Sequence, residues 1–298
     1  SPQELEPFIA LVHQFEKKYY LHVYVETIPR ETYYTSLEQY MSSEYPPDIF
    51  SFHPGWYFKN YADRDLFSPV ETMLPGKKFE KNFPASFKDA CSFGNIIQFA
   101  PMHWTWWSLF YNKEILSSIS PVLPSSFEEF ITLAGTLRKS GYIPITTSGK
   151  DSETVLAWIN LILAAAGSNK LYEEFTSGTV PYTDSKISTP LQYFAILIKN
   201  KYIIDSAVLL TQEQALGPLL SGKAVFYLAN AITETKISKE KLSSIGILPF
   251  PAGKNKTIIL ADLEGFAVHA KAKHKSNAEK FIAFIATPEN QQSFAQAL

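Results

Sequence analysis

Apolar residues along the chain recur alternately at helical and at strand spacing. A first stripe, at intervals of three and four residues, predicts an opening helix and comprises Leu5, Phe8, Ile9, Val12 and Phe15. Leu21, Val23 and Val25 then alternate with polar residues, which predicts a strand. A second stripe predicts another helix and comprises Tyr33, Leu37, Tyr40 and Met41. A short apolar run at 49–52, directly after two prolines and an aspartate, predicts the next strand.

Helix starts and ends are marked clearly in the middle of the chain. Ser125 and Glu128 have the spacing of a capping box, and Gly141 marks the end of that helix. Thr211 and Gln214 repeat this spacing before another helix. Further apolar segments predict strands at 142–147, 224–228, 245–248, 257–260 and 266–269, and helices at 153–166, at 189–201 and from Ser276. The alternation of helix and strand predicts an α/β fold with a mainly parallel sheet.

A chain of 298 residues is long for one domain and sufficient for two. Prolines interrupt extended segments at 100–103 and at 249–251, and we expect the chain to cross between two lobes at these points. The predicted first lobe is discontinuous and comprises 1–101 and 252–298. The predicted second lobe comprises 102–251.

Composition excludes several classes of protein. Hydrophobic residues make up 46% of the chain, which is enough to close a core and argues against disorder. The 27 basic residues are scattered and are outnumbered by 29 acidic ones, so we expect no nucleic-acid partner. One cysteine, Cys91, allows no intrachain disulfide. The longest apolar run, at 159–166, is too short to span a bilayer.

The sequence lacks the common motifs of enzymes and metal sites. The sequence has no glycine-rich phosphate loop, no nucleophile elbow and no zinc-protease helix motif, and its six histidines show no metal-ligand spacing. We therefore expect no catalytic residue, no cofactor and no metal. Asp262 and Glu264 could form the carboxylate pair of a carbohydrate-active enzyme, but such pairs usually come from separate elements. That enzyme is the weakest of the alternatives.

Tryptophan and tyrosine side chains are concentrated near predicted strand ends and crossings: Trp56, Tyr57, Trp104, Trp106 and Trp107. Two interpretations compete. The rings could pack in the core or at the base of a lobe, and alternation along the tryptophan segment would bury at least one of them. Alternatively, flat rings could stack on the apolar face of a sugar while Asp, Glu, Asn and Gln side chains bind its hydroxyl groups.

Short motifs in a fixed order resemble those of the family 1 extracellular solute-binding proteins of bacterial ABC importers, the family of the maltose-binding protein. The resemblance extends over nearly the whole chain. It rests on FEKKY at 15–19, PDIF at 47–50, LFYNKEIL at 109–116, PSSFEEF at 124–130, LLSGKAV at 219–225, ILPFP at 247–251 and GFAV at 265–268.

The resemblance implies a two-lobed, Venus-flytrap α/β fold of the type II periplasmic binding proteins, with a ligand cleft between the lobes. It also implies hinge closure around the ligand and delivery to the permease subunits of an ABC transporter. Loops that bind ligand in the family correspond here to His53, Trp56, Tyr57, His103, Trp104, Trp106, Tyr227, Asn230, Asp262, Glu264 and Gly265.

The resemblance carries further expectations about the whole protein. A monomer is expected, located in the periplasm or outside the cell, and a lipid anchor to a membrane surface is one alternative for how it is held there. The family's first strand and its last helices have no counterpart in this sequence, so we expect a trimmed or naturally shortened chain. Many sugar binders of the family also have a tryptophan after the Gly-Lys-Ala strand, where this chain has 226–230, FYLAN.

The leading hypothesis is therefore a receptor for a mono- or oligosaccharide, with Trp56, Trp104 and Trp106 as stacking rings. An alternative keeps the fold and changes the ligand to a cationic or phosphorylated metabolite. Asp262, Glu264 and the tryptophans could bind a cation. A phosphate group would need arginines, and the chain has three, Arg30, Arg64 and Arg138.

Overall fold

A computed structural model describes residues 2–167, 169–176, 178–253 and 256–297. Its helices are α1 Pro2–Tyr19, α2 Arg30–Met41, α3 Trp56–Ala62, α4 Lys113–Ile119, α5 Phe127–Lys139, α6 Ser152–Ala166, α7 Asn169–Thr176, α8 Ser185–Lys199, α9 Gln212–Leu220, α10 Lys239–Leu242, α11 Lys275–Ile285 and α12 Pro288–Ala297. Its strands are β1 Ile49–Phe52, β2 Ser92–Phe93, β3 Ile96–Ile97, β4 Ala100–Asn112, β5 Ile143–Thr146, β6 Ala224–Asn230, β7 Ile245–Leu248, β8 Phe250–Pro251, β9 Thr257–Ile258 and β10 Leu260–Val268. In these ranges, no helix is long and apolar enough to cross a membrane.

Helices and strands combine as the α/β class predicted from the sequence. The chain divides into two compact units, Ser1–Trp104 with Asp262–Leu298 and Thr105–Ala261. We call them unit 1 and unit 2. The long strand β4 contributes its first residues to unit 1 and its remaining residues to unit 2.

In unit 1, β1 pairs antiparallel with β10, and β10 is the neighbour of β4. The apolar stripe of α1 packs against α11, where the ring of Phe15 meets that of Phe281 edge to face at 5.1 Å. Phe58 of α3 stacks on Phe67 at 5.6 Å. These fully or nearly fully buried rings anchor the helices that flank β1 and β10.

In unit 2, β4 pairs antiparallel with β6 and with β7, and β5 pairs parallel with β6. The main core is a cluster of large side chains that includes Phe130, Trp158, Phe226 and Phe250. The indole of Trp158 is fully buried, and its N–H donates to Thr147 Oγ1 at 3.0 Å. The buried polar end of this ring is therefore satisfied.

The prediction of a mainly parallel sheet was wrong. Among the pairings whose register the structure gives, β5–β6 is parallel and those of β1–β10, β4–β6 and β4–β7 are antiparallel. The sequence pattern indicates which segments are strands but not which strands pair. Here the paired strands β1 and β10, and β4 with β6 and β7, are separated by many elements along the chain, so helix–strand alternation does not determine their relative direction.

Leu21, Val23 and Val25 do not form the predicted strand; the chain at 20–29 is irregular. The backbone N–H of Val23 donates to Glu16 Oε1 at 2.9 Å instead of to a neighbouring strand. No strand in the described ranges pairs with this segment. Alternation of apolar and polar residues is therefore not sufficient to predict a strand, because a strand also needs a neighbouring strand to pair with.

The unit boundaries differ from the predicted crossings. The first division follows Trp104, close to the predicted 100–103, but the second follows Ala261 rather than 249–251. β8 and β9 form a hairpin that stays with unit 2, because Phe250 stacks on Phe127 at 5.3 Å. The prolines at 249 and 251 therefore mark a hairpin rather than the point where the units divide.

Helix starts are predicted to within a few residues. The capping box of Thr211 and Gln214 is confirmed in full at α9. At α5 the N-cap is Ser126, whose side chain accepts from the N–H of Glu129, and not Ser125 as predicted. Both serines have a glutamate three residues later, so the spacing alone does not decide between them.

Candidate functional site

A group of histidines and carboxylates lies at one edge of the unit 1 strands. In the antiparallel ladder, Phe52 of β1 pairs with Gly265 of β10. His53 follows β1 and Glu264 precedes Gly265, so the ladder places these two residues opposite each other. His103 comes from β4, the other neighbour of β10. Three segments far apart in sequence therefore bring their side chains to one place.

Acidic and imidazole groups alternate through this site. His53 Nδ1 lies 3.5 Å from Asp262 Oδ1, and its Nε2 lies 3.0 Å from Glu264 Oε1. The other oxygen of Glu264, Oε2, lies 3.7 Å from His103 Nε2. His103 Nε2 is also 3.1 Å from Glu4 Oε1 in the first turns of α1. We call Asp262, His53, Glu264, His103 and Glu4 the His–carboxylate cluster.

The cluster sets the charge of its first histidine. Burial disfavours a charged imidazole, but hydrogen bonds from His53 to Asp262 and Glu264 outweigh burial and raise the pKa of His53 to about 9. His53 is therefore protonated at neutral pH and can donate from both ring nitrogens. The two carboxylates keep fixed orientations and are partly exposed to solvent.

His103 is held on its other side by apolar packing. Its ring lies 5.3 Å from that of Phe294 in α12. Its Nδ1 is buried and makes no hydrogen bond in the described part of the protein. An N–H at this position would have no acceptor, so the favoured neutral form carries its hydrogen on Nε2, which faces Glu4 and Glu264.

Gly265 lies where the backbone leaves no room for a side chain. A Cβ at this position would lie 2.2 Å from the carbonyl oxygen of Ala100 and 2.7 Å from the Cα of Pro101. The close approach of β10 to the start of β4 therefore requires glycine. The same approach brings Glu264 next to His103.

Exposed aromatic rings of unit 1 follow the cluster residues in sequence. Trp56 is 64% exposed and lies three residues after His53. Its ring meets Tyr57 edge to face at 5.1 Å, and Tyr57 lies 4.6 Å from Tyr34 of α2. Trp104 is also exposed, with one edge against Phe87 at 5.3 Å. Successive strand residues face opposite sides, so Trp104 and His103 project from opposite faces of β4.

The remaining predicted residues lie in unit 2. Trp106 is exposed, whereas Trp107 is buried in the main core, as alternation along β4 requires. Asn230 is half-buried at the end of β6, where it pairs with Trp107. Tyr227 is only 1% exposed, and its hydroxyl donates to the carbonyl of Gln212 at 2.8 Å. As placed here, Tyr227 is a core residue with its polar atom already bonded.

The sequence gives no sign of two residues in this region, Glu4 and Tyr34. Their positions depend on how α1 and α2 pack, for which the sequence offers no motif. A helix-start glutamate and a helix-face tyrosine are common without a ligand, so neither residue carries a local signal.

Comparison with known proteins is informative over nearly the whole chain. A family model described as bacterial extracellular solute-binding protein matches residues 1–292. The chain belongs to this family. The resemblance inferred from the short motifs is therefore confirmed.

Its relatives include transport proteins from archaea and bacteria. An uncharacterized ABC transporter extracellular-binding protein of Pyrococcus horikoshii is 25% identical over 303 residues, covering 98% of this chain and 67% of the relative. The melibiose/raffinose/stachyose-binding protein MelE of Bacillus subtilis is 23% identical over 311 residues, covering 100% of this chain and 70% of MelE.

A similar solved structure is the bacterial solute receptor AcbH, described as having an exclusive substrate preference for β-D-galactopyranose. It is 20% identical and superposes with a TM-score of 0.84, covering 99% of this chain and 75% of that chain. At this identity the match establishes the fold. The α/β fold expected of a solute-binding protein is thereby confirmed.

Proposed function

We propose that this solute-binding protein is the sugar receptor of an ABC importer and that Asp262 and Glu264 bind hydroxyl groups of the sugar. One observation carries the proposal: His53 fixes both carboxylates while leaving each partly exposed. A fixed carboxylate accepts from a sugar hydroxyl with little loss of side-chain freedom. The names of MelE and AcbH, which bind sugars, support the choice of ligand class.

Apolar contact would come from exposed aromatic rings. Trp56 is the best placed of them, because a loop of only two residues, Pro54 and Gly55, joins it to His53. The face of an indole packs well on the C–H face of a pyranose ring. Trp104, Trp106 and Asn230 remain predicted contacts, each with at least part of its side chain accessible.

A thermal-shift and calorimetry panel tests this function. The panel comprises melibiose, raffinose, stachyose, galactose and maltose, each measured with EDTA present. A sugar at about 100 times its Kd should stabilise the protein by about 2.7 kcal/mol. The variants D262N and E264Q should lose most of this shift. E80Q is the matched control, because Glu80 also forms an ion pair, with Lys88 at 2.7 Å, but lies outside the cluster.

A stabilised wild type with an unaffected control would support both the ligand class and the site. Equal sugar affinity in D262N, E264Q and wild type would remove the cluster from the site but leave the receptor function. If none of the sugars shifts the unfolding temperature, the proposed ligand class is wrong.

A cationic ligand is a second candidate, favoured by the charges of the cluster. Three carboxylates and two imidazoles meet there, and the exposed Trp56 adds a ring face for a cation. A phosphate group is not favoured by this cluster, because a phosphate would need arginines and the cluster consists of three carboxylates and two imidazoles. Spermidine and choline belong in the same panel. A binding constant that falls steeply with salt would distinguish a cation from a neutral sugar.

Transport and location follow as further proposals. The receptor would shift between two arrangements of its units as ligand binds, and deliver the sugar to permease subunits outside the cytoplasm. Small-angle scattering with and without ligand tests the first part, since closure reduces the radius of gyration.

We also propose that the chain performs no covalent chemistry. Incubation with an oligosaccharide should return it intact, and released monosaccharides would contradict that proposal.

A further inference from the structure

Three side chains of the His–carboxylate cluster place their donor atoms close together. Glu4, His103 and Glu264 each offer one donor atom, and the three atoms lie within 4.8 Å of one another. His103 Nε2 is 3.1 Å from Glu4 and 3.7 Å from Glu264. All three belong to unit 1, on α1, β4 and β10.

These separations match the edges of a small metal coordination shell. Zinc bound tetrahedrally at 2.0–2.1 Å holds neighbouring ligand atoms about 3.3 Å apart. The distances of 3.1 and 3.7 Å lie on either side of that value. The third separation, between the Glu4 and Glu264 oxygens, is at most 4.8 Å, so any adjustment around an ion is largest on this edge.

Electrostatics favours a cation at the same point. Glu4 and Glu264 both face the single Nε2 atom of His103, which carries at most one hydrogen and points it at one acceptor. Two carboxylates held this close repel each other, and a cation between them would relieve that repulsion. Burial strengthens the repulsion, because the Glu4 and His103 side chains are each only 13% exposed.

Glu264 is held as metal-binding carboxylates usually are. Its Oε1 lies 3.0 Å from His53, which fixes the carboxylate plane and leaves Oε2 toward His103. His53 is fixed in turn by Asp262. A second shell of this kind is typical of built metal sites and is unusual at a chance pair of surface charges.

We propose that Glu4, His103 and Glu264 bind a divalent transition metal of the zinc class. One imidazole and two carboxylates suit Zn²⁺, whereas Mg²⁺ and Ca²⁺ prefer oxygen ligands alone. The ion would replace the hydrogen on His103 Nε2, and the ring would carry its hydrogen on the buried Nδ1 instead, which costs affinity because Nδ1 has no acceptor in the described part of the protein. Glu264 is the most exposed of the three ligands, so the fourth coordination position opens on its side. The metal proposal does not rest on the sugar proposal, although Glu264 belongs to both. Sequence spacing gives no sign of it, because the ligands lie at positions 4, 103 and 264.

Calorimetry with ZnCl₂ tests the site, using tag-free protein stripped with EDTA and no sugar. Wild type should bind about one Zn²⁺, and E4Q and H103Q should lose that binding. H22Q should keep it. His22 forms a comparable imidazole–carboxylate contact with Glu16 at 2.7 Å, but its side chain is exposed and, among the residues that the structure describes, no third ligand joins it. MgCl₂ should give no heat with any variant.

Absence of zinc binding by wild type would overturn the proposal, as would equal binding by wild type, E4Q and H103Q. Circular dichroism checks that each variant is folded. If a variant does not fold, the visible absorption spectrum of wild-type protein with Co²⁺ still tests whether the metal site exists. Visible bands of four-coordinate Co²⁺, removed by one equivalent of Zn²⁺, support the site, and their absence overturns it. A sugar that binds in EDTA while zinc does not bind would refute this inference alone.

Discussion

His53 Nε2 lies 3.0 Å from Glu264 Oε1, and the β1–β10 ladder places the two residues opposite each other. The ladder is held by the pair Phe52 and Gly265, so the contact depends on how closely β10 approaches its neighbours. Gly265 is the residue that permits the approach to β4. Backbone geometry at one glycine thus controls where the Glu264 carboxylate lies.

G265A should destabilise the protein by about 1–3 kcal/mol, because the added methyl group collides with the backbone of Ala100 and Pro101. Urea unfolding followed by tryptophan fluorescence measures the change. G217A is the control: a Cβ there meets nothing within 4 Å, and alanine is favoured inside α9 by up to about 1 kcal/mol. Equal stability of G265A and wild type would show that β10 and β4 can separate at no cost.

Tyr227→Phe distinguishes a ligand contact from a core residue. The buried hydroxyl donates to the Gln212 carbonyl, so its removal should cost about 1 kcal/mol of stability. Ligand affinity should not change. Tyr45→Phe, at an exposed tyrosine, should alter neither quantity. Weakened ligand binding by Tyr227→Phe at unchanged stability would instead return this residue to the site.

Part of the cluster was predictable from the sequence because it depends on strand ends. His53 follows a clear apolar strand, and Asp262 and Glu264 precede another, so the family motifs locate all three residues. Neighbouring strands bring such positions together. The grouping needs only the order of the strands and not the packing of side chains.

Other features could not be predicted because they depend on packing between distant segments. Glu4 reaches His103 only because α1 and α12 both pack beside β4, where Phe294 also contacts His103. The burial of Tyr227, a predicted ligand contact, could not be predicted for a related reason. A strand with six consecutive buried residues, 224–229, shows no alternation from which an exposed face could be identified.

His269 should make stability depend on pH. The residue is fully buried, and burial lowers its pKa, with a further contribution from Lys271. Since the folded state disfavours the charged imidazole of His269, the contribution of this residue should be complete well above pH 6.5 and should fall as pH decreases below that value. His53 acts in the opposite direction: its pKa is raised to about 9, so its contribution is complete below about pH 6.5 and is lost as pH rises toward 9. Carboxylates with lowered pKa values, such as Glu38 and Glu128, add their losses only below about pH 4.5.

Unfolding free energies measured between about pH 6.5 and pH 5, where the contribution of His53 changes little, check this expectation. His269→Asn keeps an acceptor for the N–H of Lys271, which now bonds to Nδ1 at 3.0 Å, and should flatten the profile. H13Q, at an exposed histidine, serves as the control and should keep the slope of wild type. A wild-type profile that is flat across this range would contradict the prediction.

The tryptophans should divide into two functional classes. Trp107 is buried in the unit 2 core, so W107A should destabilise the protein by about 3–5 kcal/mol. Trp56 is 64% exposed, and W56A should change stability by less than about 0.5 kcal/mol while weakening sugar binding. Trp104, predicted from the sequence to bind ligand, contacts Phe87, so W104A should show an intermediate loss of stability.

Chemical unfolding and calorimetry on the same preparations separate these effects. W56F is the matched variant, because phenylalanine keeps a flat apolar face of smaller area and should retain part of the affinity. Sugar affinity of W56A equal to that of wild type would exclude Trp56 as a stacking ring. Affinity lost in W104A but not in W56A would move the apolar contact to the Trp104 face of β4, opposite the face from which His103 projects.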